Sequence, residues 1–276
     1  MGKNVIVACD FSKEQELQNF LRKMDNSDDK IFCKVGMELF YSGILSGFNP
    51  INIIKSKGHK VFLDLKLKDI PNTVSSTSRV LMQYGVDMIN VHADGGLQMM
   101  REFVDSINQY MIENPTAKRP ILLGVTVLTS ISNNELVSEI NVNSNLIDQV
   151  VHLARLSKLA GLDGVVCSPE EILAIKDACT KDFITVTPGV RFDFYSKDDQ
   201  SRIATPICAN IMGGDYIVVG RPITRANDPL KEYELYKAGF TQKITCTYEI
   251  EKAKKYIESI KNKYYSVNGE KVLKIW

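Results

Sequence analysis

The chain has 276 residues, enough for one large domain or two small ones, and its formal net charge is +1. That near-neutral balance argues against nucleic acid or a membrane surface as the main partner. The N-terminus runs straight into a short apolar strand, with no signal-peptide core and no apolar run long enough to span a bilayer. Six cysteines form no C-x-x-C pair, and His59, His92 and His152 show no metal-ligand spacing. A cytoplasmic protein with no disulfide frame and no metal site is expected.

Eight short apolar runs read as strands, at residues 5–9, 31–35, 60–65, 86–91, 121–127, 164–167, 183–187 and 216–219. They recur at roughly thirty-residue intervals, the size of one βα unit. Amphipathic helices are predicted between them at 14–24, 72–84, 97–111, 146–159 and 170–178. Strands apolar on both faces belong to a parallel sheet covered by helices, and eight such units predict an α/β fold, the (β/α)8 TIM barrel. No G-x-G-x-x-G follows the first strand, which weighs against dinucleotide binding.

Barrel enzymes keep their chemistry at the C-terminal ends of the strands. Asp10 follows the first run here, and Lys34 follows Ile31-Phe32-Cys33 in the second. The third run leads into Asp64-Leu65-Lys66-Leu67-Lys68-Asp69-Ile70-Pro71-Asn72-Thr73. Side chains alternate along a strand, so Phe62, Asp64 and Lys66 share one face, with Val61, Leu63 and Leu65 on the other. Pro71 suits the first turn of a helix. Alone, this segment also fits a solvated turn with a surface ion pair. Asp10, Lys34, Asp64 and Lys66 converging on one barrel rim is harder to explain as packing, because buried charges are costly unless paired.

His92 ends the fourth run, Thr126 and Thr129 follow the fifth, and Ser168 follows the sixth. After the seventh comes Thr187-Pro188-Gly189-Val190-Arg191, and after the eighth Gly220-Arg221-Pro222. Loops at these two positions often bind phosphate in barrels, through glycine-exposed N–H groups and arginine forks. Two ordinary turns with surface arginines are the plainer reading. The polar stretch 192–202 between them reads equally as a mobile lid or a passive loop. Past Gly239, Ile250, Ala253, Ile257, Ile260 and Tyr264 recur at helical spacing among lysines. A barrel domain over 1–239 is therefore expected, with a helical extension over 240–276 packed on it. A basic interaction arm is the alternative for that extension.

Taken together, the segment from Asp64 to Thr73 and those around Asp10, Lys34, His92, Thr129, Arg191 and Arg221 resemble bacterial-type orotidine 5′-monophosphate decarboxylases. The resemblance runs from Val5 to about Pro229 and does not reach the C-terminal extension. It implies cofactor-free decarboxylation in pyrimidine biosynthesis, with Lys66 protonating C6 of the pyrimidine. It implies that Lys34, Asp64, Lys66 and Asp69 form an alternating charge array, with Asp69 supplied to the neighbouring subunit of a homodimer. Asp10 and Lys34 then contact the ribose, Thr129 the pyrimidine, and Thr73 reaches across the dimer. Arg191, Gln200, Gly220 and Arg221 form the phosphate clamp, and Lys68 has no catalytic role. The rivals are a magnesium-dependent sugar-phosphate decarboxylase on the same barrel, which shares the D-x-K-x-x-D core, and a non-catalytic sensor of a phosphorylated metabolite.

Overall fold

Apolar residues crowd both faces of the short strands, and that double demand for cover shapes the molecule. The computed structural model describes residues 3–27, 30–192, 202–242, 247–267 and 270–271. In chain order the elements are β1 (Asn4–Ala8), α1 (Glu14–Met24), β2 (Phe32–Gly36), α2 (Met37–Ser46), α3 (Pro50–Ser56), β3 (Lys60–Leu67) and α4 (Pro71–Met82). Then come β4 (Met88–His92), α5 (Leu97–Glu113), β5 (Ile121–Val125), α6 (Asn133–Ser138), α7 (Leu146–Leu159), β6 (Gly164–Val166) and α8 (Ile172–Cys179). The chain continues through β7 (Ile184–Thr187), α9 (Pro206–Ile211), β8 (Tyr216–Val219), α10 (Arg221–Thr224), α11 (Pro229–Thr241) and α12 (Thr247–Tyr265). The strands β1 to β8 pair in sequence order, all parallel, and β8 closes on β1. This is the expected (β/α)8 barrel.

Strand alternation divides the core in two. Ile6, Phe32, Phe62, Met88, Leu123 and Tyr216 fill the barrel interior, where the Phe32 and Tyr216 rings meet edge-on at 6.1 Å. Val5, Cys33, Val61 and Leu63 point outward into the larger layer between barrel and helices. The helices answer with matching stripes. In α1, Leu17, Phe20, Leu21 and Met24 are buried at helical spacing. The Glu16 carboxylate accepts the backbone N–H groups of Ser12 and Lys13, satisfying donors at the helix entry. Asn145, Thr205 and Asp228 accept from the first turns of α7, α9 and α11 in the same way. Cys9, Cys33, Cys167, Cys179 and Cys208 are buried free thiols, while Cys246 lies outside the described residues. No described helix is long and apolar enough to cross a membrane.

Some boundaries differ from expectation. β3 runs on to Leu67 because Leu67 pairs again with β4 beyond an irregularity. The helix expected to begin at residue 170 opens as a single 3-10 turn, Pro169–Glu171, and becomes α-helical only at Ile172. α11 carries on to Thr241, past residue 239. Beyond it, α12 buries Ala253 and Ile260 against the body of the protein. The Tyr256 hydroxyl donates to the Ile203 carbonyl at 2.5 Å, and the Tyr264 hydroxyl and Lys263 ammonium reach Glu170 at 2.6 and 2.9 Å. Lys252, Lys254, Lys255 and Lys261 face solvent.

Candidate active site

At the C-terminal mouth of the barrel, β1, β2 and β3 bring four charges of alternating sign together. Lys34 Nζ lies 3.0 Å from Asp10 Oδ1 and 3.4 Å from Asp64 Oδ2. Lys66 Nζ lies 2.8 Å from Asp64 Oδ1. The middle of this array is the most enclosed, with the Lys34 and Asp64 side chains 13% and 10% exposed, against 53% for Asp10. Burial alone raises the Asp64 carboxyl, but Lys34 and Lys66 more than offset it and hold it below the usual carboxylate range. Burial likewise lowers Lys34, and Asp64 and Asp10 outweigh it, leaving the ammonium more basic than usual. Gly36 makes room for the pair, since a Cβ there would stand 2.9 Å from Lys34 Nζ and 3.2 Å from Asp10 Oδ1.

The backbone around Lys66 is unusual. Lys66 has φ +53°, a left-handed conformation that non-glycine residues seldom adopt. Leu63 pairs with Ile89 and Leu67 with Val91, so β3 carries two more residues than β4 over this stretch. Extra residues in one strand leave ladder groups unpaired and re-aim side chains. The β4 residue facing the gap is Asn90, fully buried. Its Oδ1 accepts the Lys66 backbone N–H at 2.9 Å, and its Nδ2 donates to Asp64 Oδ1 at 2.7 Å.

A cavity of about 280 Å³ opens over the array. Asp10, Lys34, Asp64 and Lys66 line one side, and Thr129, Arg191, Gly220 and Arg221 line it elsewhere. Eight of the expected site residues thus share one cavity. The loop after β7 turns at Gly189, with φ +81°, and Arg191 N–H bonds the Ala204 carbonyl at 2.9 Å. The turn bearing Thr129 is fastened from behind by Arg202. Its guanidinium donates to the Leu128 and Ile131 carbonyls, both at 3.0 Å, and its Nε faces Glu171 Oε1 at 3.4 Å. Burial pushes the Glu171 carboxyl up to about 7, with Arg202 pulling the other way.

Two expected residues are not brought into this cavity. Asp69 and Thr73 lie on the exposed start of α4, where Asp69 Oδ1 accepts the Ile70 N–H at 2.7 Å. Gln200 and most of the stretch expected as a lid lie outside the described residues. Lys68 points away and pairs with Asp94 at 2.7 Å. Asn90, Arg202 and Glu171 were not singled out from the sequence. Asn90 had a legible signal, as the single amide inside the run Met88-Ile89-Asn90-Val91, because a buried polar side chain needs a partner.

Comparison with known proteins places the chain in a family. The model of the Orotidine 5′-phosphate decarboxylase / HUMPS family matches residues 3–236. The chain belongs to that family. It is 46% identical over 237 residues to an orotidine 5′-phosphate decarboxylase from Bacillus anthracis, covering 86% of this chain and 97% of the relative. The crystal structure of the orotidine 5′-phosphate decarboxylase from Lactobacillus acidophilus is 40% identical, with a TM-score of 0.75, over 87% of this chain and all of that one. An uncharacterized conserved protein from Geobacillus kaustophilus is 39% identical, with a TM-score of 0.74, over 86% and 99% of the two chains. The decarboxylase family model ends before α12 begins.

Proposed function

We propose that this protein decarboxylates orotidine 5′-monophosphate to uridine 5′-monophosphate, a step of pyrimidine biosynthesis and the reaction for which its relatives are named. One observation carries the reading. The array Asp10–Lys34–Asp64–Lys66 faces the same cavity as two arginines on the loops after β7 and β8. Losing carbon dioxide breaks the bond from C6 to the carboxyl carbon and leaves the electron pair on C6. No π-system absorbs that pair, so a cation held in place beforehand must stabilise it. Lys66 takes this role and then gives a proton to C6. Asp64 fixes Lys66 and lies near the departing carboxylate. Lys34 and Asp10 hold the ribose hydroxyls, and Thr129 the pyrimidine. Arg191, Gln200, Gly220 and Arg221 clamp the phosphate, whose binding energy helps hold the reacting end in place.

The active unit in this reading is a homodimer in which Asp69 and Thr73 complete the neighbouring site. Exposed apolar side chains support it: Met37, Tyr41, Ile44 and Leu45 on α2, with Ile70 and Val80 at α4. Several large apolar side chains exposed together on one short helix, as on α2, fit an interaction surface. The region beyond α11 is an extension whose helix α12 packs on the barrel, and the protein works in the cytoplasm on a small nucleotide. The magnesium-dependent alternative needs carboxylates free to bind a cation. The Asp64 oxygens are instead already held by Lys66, Asn90 and Lys34. Loss of orotidine 5′-monophosphate should be measured with and without a strong chelator. Turnover that survives the chelator supports the reading, and turnover abolished by chelator and restored by magnesium overturns it.

A further inference from the structure

We propose that Asn90 is the positioning residue of this site, holding Lys66 and Asp64 in their reactive geometry through one amide group. The inference rests on the roles given to Lys66 and Asp64 above. Asn90 stands alone on β4 opposite the surplus residues of β3, where the regular ladder is interrupted. A left-handed backbone at a lysine is costly and persists only where its surroundings impose it. The bulge also takes the Lys66 N–H out of the ladder, and a buried orphan donor adds a further cost. The Asn90 carbonyl removes that cost at 2.9 Å. Its NH₂ group meanwhile donates to the Asp64 oxygen that receives Lys66 Nζ, at 2.7 and 2.8 Å. A single amide, 0% exposed, therefore fixes the lysine at its backbone and at its counter-ion.

An amide does both at any pH. A carboxylic acid can do so as well, but only when protonated. A leucine would fill the same space and do neither, so a packing role and a positioning role separate cleanly. The charged groups around this position are Asp64 and Lys66 on β3, Lys34 on β2, and His92 on β4 itself.

Three measurements test the proposal. In Asn90→Ala, kcat for orotidine 5′-monophosphate should fall roughly 10- to 100-fold, the usual effect of removing a group that orients a reactive one. Affinity for uridine 5′-monophosphate should stay within about threefold, since uniform binding is untouched. In the isosteric Asn90→Asp, a carboxylate would repel Asp64, whereas the protonated acid donates to it. Its kcat relative to wild type at the same pH should therefore rise as pH falls from about 8 to about 5. A ratio that does not change with pH, or kcat within about threefold of wild type in both variants, overturns the proposal. The third readout needs no activity. In a crystal structure of Asn90→Ala, Lys66 should leave the left-handed region and its ammonium should leave Asp64. Retention of both features overturns the proposal even if the wild-type protein proves to act on another substrate. Absence of orotidine 5′-monophosphate turnover by wild type would strike the functional reading instead.

Discussion

Asp64 is the residue on which the site's electrostatics converge. Oδ1 receives Lys66 and Asn90, and Oδ2 faces Lys34. Its folded-state pKa lies below the usual value because the two lysines outweigh burial. The unfolded carboxyl titrates near 3.9, so the stability its charge contributes is present above about pH 3.9. It is lost as pH falls through the lower, folded value. Asp64→Asn should therefore destabilise the protein at pH 7, on the order of 3 kcal/mol, by leaving buried lysines short of a counter-charge. The deficit should shrink as pH drops below about 3.9 and close only below the lower, folded value, where the wild-type carboxyl is neutral too. Denaturant unfolding of both proteins across that range checks this, and an equal deficit at pH 7 and at the acid end would refute it. Placing Asp64 and Lys66 on one face followed from strand alternation alone. The left-handed Lys66 and its hold on Asn90 did not, because nothing in a run such as Asp64-Leu65-Lys66-Leu67 announces a bulge.

At the level of elements, Arg202 joins three segments, the one leading to α9, the turn after β6 through an ion pair with Glu171, and the turn after β5 through two carbonyls. Arg202 is 4% exposed and Glu171 fully buried. The Glu171 Oε2 also accepts the Ser168 N–H at 2.8 Å. Removing one partner of a buried pair leaves the other charge without compensation. Glu171→Ala should destabilise the protein in urea unfolding, and by less at about pH 8.5 than at about pH 6, because burial penalises the charged carboxylate that forms as pH rises through its raised value of about 7. A loss under about 1 kcal/mol, the value of an exposed pair, would show that Arg202 is stabilised by the Leu128 and Ile131 carbonyls alone. This pair joins residues far apart in sequence, and no local pattern marks it. Elements with strong periodicity were legible: α1, α7 and β8 end where the apolar spacing ends. α3, α6, α9 and α10 are at most two turns long, too short to show a period. α2 was hidden for another reason: apolar residues lie on both of its sides, with Leu39 buried and Ile44 and Leu45 exposed.

That two-sided helix matters for the whole molecule. One apolar side of α2 packs on the barrel, and the other is uncovered in the single chain, as Ile70 is at the entry to α4. Pro71 fixes the turn after Asp69, so the acid is carried out of its own cavity to the exposed start of that helix. A two-fold interface across this face is reciprocal, and would place each Asp69 beside the partner's site. Under the proposed mechanism, Lys66→Ala and Asp69→Ala should each be inactive alone, the first for want of the proposed proton donor and the second for want of the acid proposed to complete the neighbouring site. Mixed under conditions of subunit exchange, they form hybrid dimers. In a hybrid, the site built on the Lys66→Ala subunit lacks both groups, while the other site lacks neither. With equal mixing and independent sites, activity should return to about a quarter of the wild-type value, because half the dimers are hybrids with one intact site of two. If Asp69 serves its own chain, every site stays damaged. No activity then returns, even with exchange demonstrated by native mass spectrometry of differently tagged subunits.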